Sequence, residues 1–252
     1  PITENKITLY ACGMTVYDDC HLGHARVLVF FDAFTRILKA HGYEVTYVRN
    51  VTDIDDKIIK KANDQGCSWQ EIAEQFTQSM LDDEYSLGVA RPSYMPKATE
   101  YVAEMIQMIQ TLMDKGYAYT QKGDVYFAVQ KHPHYGALSK RQLEELNAGT
   151  RIEVDARKAH EHDFVLWKAA KEGEPFWPSP WGHGRPGWHI ECSAMIQACL
   201  GGGIDIHGGG VDLKFPHHEN EIAQSECAHD HVLAKHWMHV GHVQINDEKM
   251  SK

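Results

Sequence analysis

Apolar residues recur at helical spacing through residues 24–40, where Val27, Phe30, Phe31, Phe34, Ile37 and Leu38 form one stripe before Gly42 ends it. The preceding segment, 7–17, is rich in β-forming residues and predicts a strand running into a loop. Residues 43–50, centred on VTYV, predict a second strand, and the acidic turn TDIDDK leads into a helix over about 55–65. This strand–helix–strand–helix order opens a doubly wound parallel sheet. Further helices are predicted over 68–88 and 97–115, the latter with Val102, Met105, Ile106, Ile109 and Met113 on one face and Gly116 at its end. Residues 117–120 and 124–129 alternate like a hairpin around Lys122-Gly123, which fits poorly between parallel units. Residues 91–180 are therefore expected to be a connective α+β insertion between a first half, 1–90, and a second half, 181–252. The polar tract 139–163 and EPFWPSPWGHGRPG suit irregular or edge structure within it. After Gly187 the α/β pattern resumes: a helix over 188–200, a short strand over 203–207, a helix over 217–229, a strand near 236–244, and the terminal NDEKMSK.

Composition narrows the class of protein. A chain of 252 residues with 43% hydrophobic and 10% aromatic content can bury a real core, so disorder is not expected. The longest apolar runs, such as VLVFF at 27–31, are far too short to span a bilayer. No basic-then-apolar leader opens the sequence, so a cytoplasmic protein without a membrane partner is expected; the first residue is not Met, which leaves the true start open. A formal charge of −10 argues that any strong RNA affinity lies largely outside these residues, although a local basic strip can coexist with an acidic remainder. The six cysteines include no C-x-x-C pair and are read as reduced thiols. Cys20, Cys67, Cys199 and Cys227 are explained as small buried hydrophobes.

Five features remain. His21-Leu22-Gly23-His24 lies after a strand at the start of a helix, where backbone N–H groups and a partial positive charge suit a polyphosphate. Two imidazoles there can donate to phosphate oxygens as charge builds, and Gly23 permits close approach to the backbone. Lys249-Met250-Ser251-Lys252 offers two flexible cations able to neutralise a pyrophosphate leaving group. His217 and Glu221 are four apart on a predicted helix and share a face, whereas His218 points about 100° away. Cys192 sits near the start of its own helix, where a thiolate is favoured. Asp53, Asp55 and Asp56 could in principle hold Mg²⁺, but turn formation and helix capping explain them more cheaply.

The segments TLYACGMTVYDDCHLGHARV, RPGWHIECSAM, FVLWK, FPHHENEIAQS and KMSK together closely resemble the catalytic domain of cysteinyl-tRNA synthetases, class I aminoacyl-tRNA synthetases. The resemblance covers essentially the whole chain. It implies a Rossmann-like sheet split by the connective insertion, with His21, Gly23, His24, Lys249 and Lys252 serving ATP, supplied with Mg²⁺. It implies one Zn²⁺ held by Cys12, Cys192, His217 and Glu221, a pocket for L-cysteine lined by Thr15, Trp188 and His189, and Gly209 and Asp212 beside the nucleotide or the substrate amine. The substrate sulfur is expected to bind the metal, a selectivity that makes an editing site unnecessary. The implied reaction joins cysteine to ATP and transfers the product to tRNA-Cys, with the chain a monomer. Family members begin earlier and continue past Lys-Met-Ser-Lys into an anticodon-binding domain. A related ligase that couples activated cysteine to an amino-sugar acceptor is the first alternative; it is expected to lack the acidic ligand at Glu221. A non-catalytic zinc or nucleotide-binding copy is the second, and the intact motifs argue against it.

Overall fold

The computed structural model describes residues 1–141, 158–245 and 248–250. They fall into two compact units: Pro1–Glu100 with Cys199–Asp212 and Ala234–Lys252, and Tyr101–Ala198 with Leu213–Leu233.

The first unit is built on four parallel strands, β1 (Lys6–Ala11), β2 (Glu44–Arg49), β7 (Ile204–Gly210) and β8 (Ala234–Val240), in the order β2-β1-β7-β8. Helix α1 (Leu22–Ala40) makes the crossover from β1 to β2. Strand alternation sends Ile7, Leu9 and Ala11 to one face, where they pack with Phe31, Val45, Tyr47, Ile206 and Val240. Each aliphatic or aromatic side chain so buried contributes roughly 1.5–3 kcal/mol. A second cluster, including Val16, Val51, Ile58, Ile72, Phe76 and Met80, is formed around α2 (Asp56–Gln65) and α3 (Trp69–Ser86). Local chemistry sets the ends of these helices. Asp55 caps α2 by accepting from the Lys57 amide, and Ser68 and Glu71 form a reciprocal capping box at α3. Asp53 is buried and accepts from both the amide and the hydroxyl of Thr99. Two members of the acidic turn are thus accounted for by folding alone.

The second unit contains α4 (Val102–Asp114) and an antiparallel sheet of β3 (Ala118–Gln121), β4 (Asp124–Phe127), β5 (Phe164–Ala169) and β6 (Gly184–Pro186), in that order. The expected hairpin is β3–β4, and β6 is an edge strand drawn from the proline-rich tract. Along α4, Met108 and Leu112 are buried while Ile106 and Met113 are only half-buried, so the buried stripe is rotated slightly from the expected one. Helices α5 (Trp188–Leu200) and α6 (His217–His229) have the expected bounds. Their tertiary allegiance differs from the division at residue 180, because nearly all of α5 and all of α6 belong with the antiparallel sheet. Short connections cause this: the Gly187 amide donates to the Leu166 carbonyl of β5, and Gln224 of α6 donates to the His189 carbonyl of α5. The last strand of the parallel sheet is Ala234–Val240, shorter and earlier than 236–244, and a small antiparallel pair follows, β9 (Gln244–Ile245) and β10 (Glu248–Lys249). Among the described residues no helix is long and apolar enough to cross a membrane.

Candidate metal centre and nucleotide site

In the second unit, α5 contributes Cys192 and α6 contributes His217 and Glu221. One ligand atom from each lies within 4.8 Å of the others, and all three residues are buried. Both α6 residues leave the same helical face, and His217 Nε2 stands 3.1 Å from a Glu221 carboxylate oxygen. The opposite ring nitrogen of His217 faces Nδ1 of His189 at 2.9 Å, so these two atoms share one proton. Burial, with a smaller push from Lys168, drives the His189 imidazole down to about 3, so it is neutral at physiological pH. A neutral His189 and an Nε2-directed His217 form an arrangement in which an outer-sphere partner orients a ligand ring. Trp188 stacks on the His217 ring with centroids 4.2 Å apart while remaining partly exposed. Gln224 donates to the Ser193 hydroxyl at 2.8 Å, tying the two helices together behind the trio.

A buried thiol, imidazole and carboxylate with their ligand atoms within 4.8 Å of one another suit a borderline-soft divalent cation and not a hard ion that demands oxygen donors. Cys192 is the fifth residue of α5, past the first turn, so helix-end stabilisation of a thiolate is weak there. His218, the alternative partner, is also buried and also brings a nitrogen within 4.8 Å of a Glu221 oxygen, so pointing away from His217 does not remove it from that carboxylate.

In the first unit, Cys12 follows the last residue of β1 and is buried. His207 on β7 brings a ring nitrogen within 4.8 Å of the Cys12 sulfur, and stacks on Trp237 at 4.6 Å. Sequence reading passed over His207; the only signal was its place on a buried strand immediately before the triple glycine. Thr15 is half-buried and makes an isolated parallel bridge to Thr52.

The His21–His24 segment behaves differently from a bare helix terminus. His21 is the N-cap of α1: its Nδ1 accepts from the Gly23 amide at 3.0 Å, and His24 Nδ1 accepts from the His21 amide at 3.2 Å. Two N–H groups that could have met a phosphate are therefore taken by the imidazoles themselves. In compensation, an accepting Nδ1 leaves the proton of a neutral ring on Nε2, which makes each ring a donor through its outer nitrogen. The glycine has a second reason to be there, because a Cβ at position 23 would lie 2.7 Å from the His21 ring. Gly209 is buried near the end of β7, and Asp212 is exposed just beyond it. Lys249 belongs to β10, while Lys252 lies outside the described residues.

A family model described as tRNA synthetases class I (C) catalytic domain matches residues 1–252. The chain is 60% identical over 253 residues to the cysteine–tRNA ligase of Hahella chejuensis, covering 100% of this chain and 54% of that protein. The corresponding figures for the ligase of Halorhodospira halophila are 59% identity over 253 residues, with 100% and 55% covered. The chain thus spans about half the length of the curated relatives it matches. Among solved structures, Mycobacterium tuberculosis methionyl-tRNA synthetase in complex with methionyl-adenylate superimposes with a TM-score of 0.71 at 11% identity, covering 94% of this chain and 57% of that one. At that identity the likeness shows a shared fold.

Proposed function

Because the chain belongs to the class I (C) tRNA synthetase catalytic-domain family, we propose that it is the catalytic portion of a cytoplasmic cysteine–tRNA ligase. The substrates are L-cysteine, ATP with Mg²⁺, and tRNA-Cys. The carboxylate of cysteine attacks the α-phosphorus of ATP, the bond to the β-phosphate oxygen breaks, and pyrophosphate leaves. The 2′-hydroxyl of the terminal adenosine then attacks the carbonyl of the adenylate and releases AMP.

His21 and His24 donate through Nε2 to phosphate oxygens as negative charge grows, and Lys249 and Lys252 neutralise the departing pyrophosphate. Gly23 serves the nucleotide, and Gly209 and Asp212 lie beside the nucleotide or the substrate amine. Cys192, His217 and Glu221 would hold Zn²⁺, with Cys12 the fourth ligand that the family resemblance implies. Bound there, the ion would supply an acceptor for a soft thiolate that a neutral hydroxyl fills poorly. A purely apolar pocket would separate cysteine from its isostere serine by only about 1–3 kcal/mol. Trp188, His189 and Thr15 are the residues that the family resemblance assigns to the amino-acid pocket, and the contact of His189 with His217 would keep that ring turned toward the metal.

The observation that carries this reading is the buried Cys192–His217–Glu221 trio. Adenylate formation needs no soft-metal site, whereas such a site supplies the discrimination of a thiol from a hydroxyl that an apolar pocket lacks. The test is cysteine-dependent ATP–pyrophosphate exchange by the full-length protein, followed by charging of tRNA-Cys. Exchange without charging would move the assignment to the amino-sugar ligase, and absence of exchange would leave a binding module.

A further inference from the structure

The departure of β1 from β2 shows how the Cys12 thiol is aimed. The two strands pair in register from Lys6 with Glu44 to Ala11 with Arg49. One residue further on, the ladder breaks. The Cys12 amide continues the ladder with β7, donating to the Gly208 carbonyl at 2.9 Å, whereas the next amide, of Gly13, which faces β2, donates to the side-chain Oδ1 of Asn50 at 2.8 Å. Pairing resumes beyond the break, where the Thr52 amide donates to the Met14 carbonyl and the Val16 amide to the Thr52 carbonyl, both at 3.2 Å. Asn50 therefore fills the gap with a side chain where main chain would otherwise bond to main chain.

This side chain is rigidly held. Asn50 is 1% exposed, and its amide nitrogen donates to the Thr52 hydroxyl at 3.3 Å, which fixes which end of the group faces Gly13. The peptides on either side are clamped as well: the Arg49 amide donates to the Tyr94 carbonyl and the Val51 amide to the Pro96 carbonyl. The approach is so close that a Cβ on Gly13 would lie 1.7 Å from the Asn50 carbonyl oxygen. Cys12 is thus fixed on one side through its own amide and on the other through the amide that follows it.

We propose that Asn50 is a positioning residue that presents the Cys12 thiol for metal ligation, a role that rests on the reading of Cys12 as a zinc ligand. Metal–sulfur distances tolerate only about 0.2 Å. Loss of the Oδ1 acceptor leaves the half-buried Gly13 amide without its partner, so the Cys12–Gly13 peptide rotates to find another and carries the sulfur with it.

The experiment uses the full-length protein loaded with Co²⁺, whose near-ultraviolet sulfur-to-metal band scales with the number of bound thiolates. Asn50→Leu should lose about half of that band, matching Cys12→Ser, and should release metal to a chelator roughly 10–100 times faster than the parent. Asn50→Asp retains an acceptor for the Gly13 amide and should restore the parent spectrum, which a merely structural role would not require. A parent-like band and release rate in Asn50→Leu would overturn the proposal. If Asn50→Leu does not fold, Asn50→Ser, too short to reach the Gly13 amide, is read against the same two criteria. An unchanged band in Cys12→Ser is a separate outcome, which removes Cys12 from the ligand set and the proposal with it.

Discussion

Replacing Glu84 by glutamine tests how the end of β2 is held. Arg49 and Glu84 are 2% and 1% exposed, and an Arg49 Nη2 hydrogen bond to the carboxylate joins β2 to α3. Glutamine preserves the shape and the acceptor but removes the negative charge, which leaves a guanidinium buried without its counter-ion. Breaking one side of a buried pair costs about 3–5 kcal/mol, whereas replacing both partners with apolar residues of similar volume is often neutral. For a chain of this size each kcal/mol moves the melting temperature by roughly 2–4 °C, so Glu84→Gln should melt about 6–20 °C below the parent. The double variant Arg49→Met/Glu84→Leu should recover most of that loss. Thermal unfolding followed by circular dichroism measures both, and the deficit should change little with added salt because buried charges are poorly screened. A Glu84→Gln melt within about 1 °C of the parent would refute the argument, since that shift corresponds to less than 1 kcal/mol. So would a double variant as unstable as the single one. The first result would mean that Arg49 is solvated in a way its burial does not allow, and the second that the loss comes from packing and not from an unpaired charge.

Three further outcomes are expected. Cys192→Ser should lower the metal content measured by elemental analysis after dialysis, while Cys67→Ala leaves it unchanged; parent-level metal in Cys192→Ser would exclude that thiol as a ligand. Gly23→Ala places a methyl 2.7 Å from the His21 ring and should reduce pyrophosphate exchange about 10²-fold, the usual cost of displacing one transition-state donor. An undiminished exchange rate would show that the ring can move without loss. Burial holds the Asp53 carboxyl above its ordinary value despite two hydrogen bonds from Thr99. Its share of stability is therefore full below the unfolded carboxylate value and is lost as pH rises through the elevated one. Asp53→Asn should accordingly gain on the parent at pH 7 relative to pH 3 in urea denaturation, and a relative loss at pH 7 would contradict the sign.

The sequence by itself determined the element order and most element bounds, because both follow from local chemistry. Periodicity placed α1, while Gly66, which reaches a left-handed conformation because it lacks a side chain, ends α2, and Ser68, whose hydroxyl accepts from the Glu71 amide, starts α3. It also determined that His217 and Glu221 share a face, since a helix needs no tertiary partner to set that relation. Tertiary structure decided which unit each element joined. The helices at 188–200 and 217–229 carry near-uniform burial and little amphipathic direction, so nothing in their pattern said which sheet they would pack with. The bond from the Gly187 amide to β5 and the Gln224 link between the helices made that choice. The partners of the candidate ligands were equally hidden. Asn50, His207 and the His189–His217 contact lie 28 or more residues from the groups they serve, and no window of sequence registers a hydrogen bond across such a distance. Even His21-Leu22-Gly23-His24 was legible only in part: the motif led to the expectation of a phosphate site, but only the folded cap showed that its two rings take up two backbone donors.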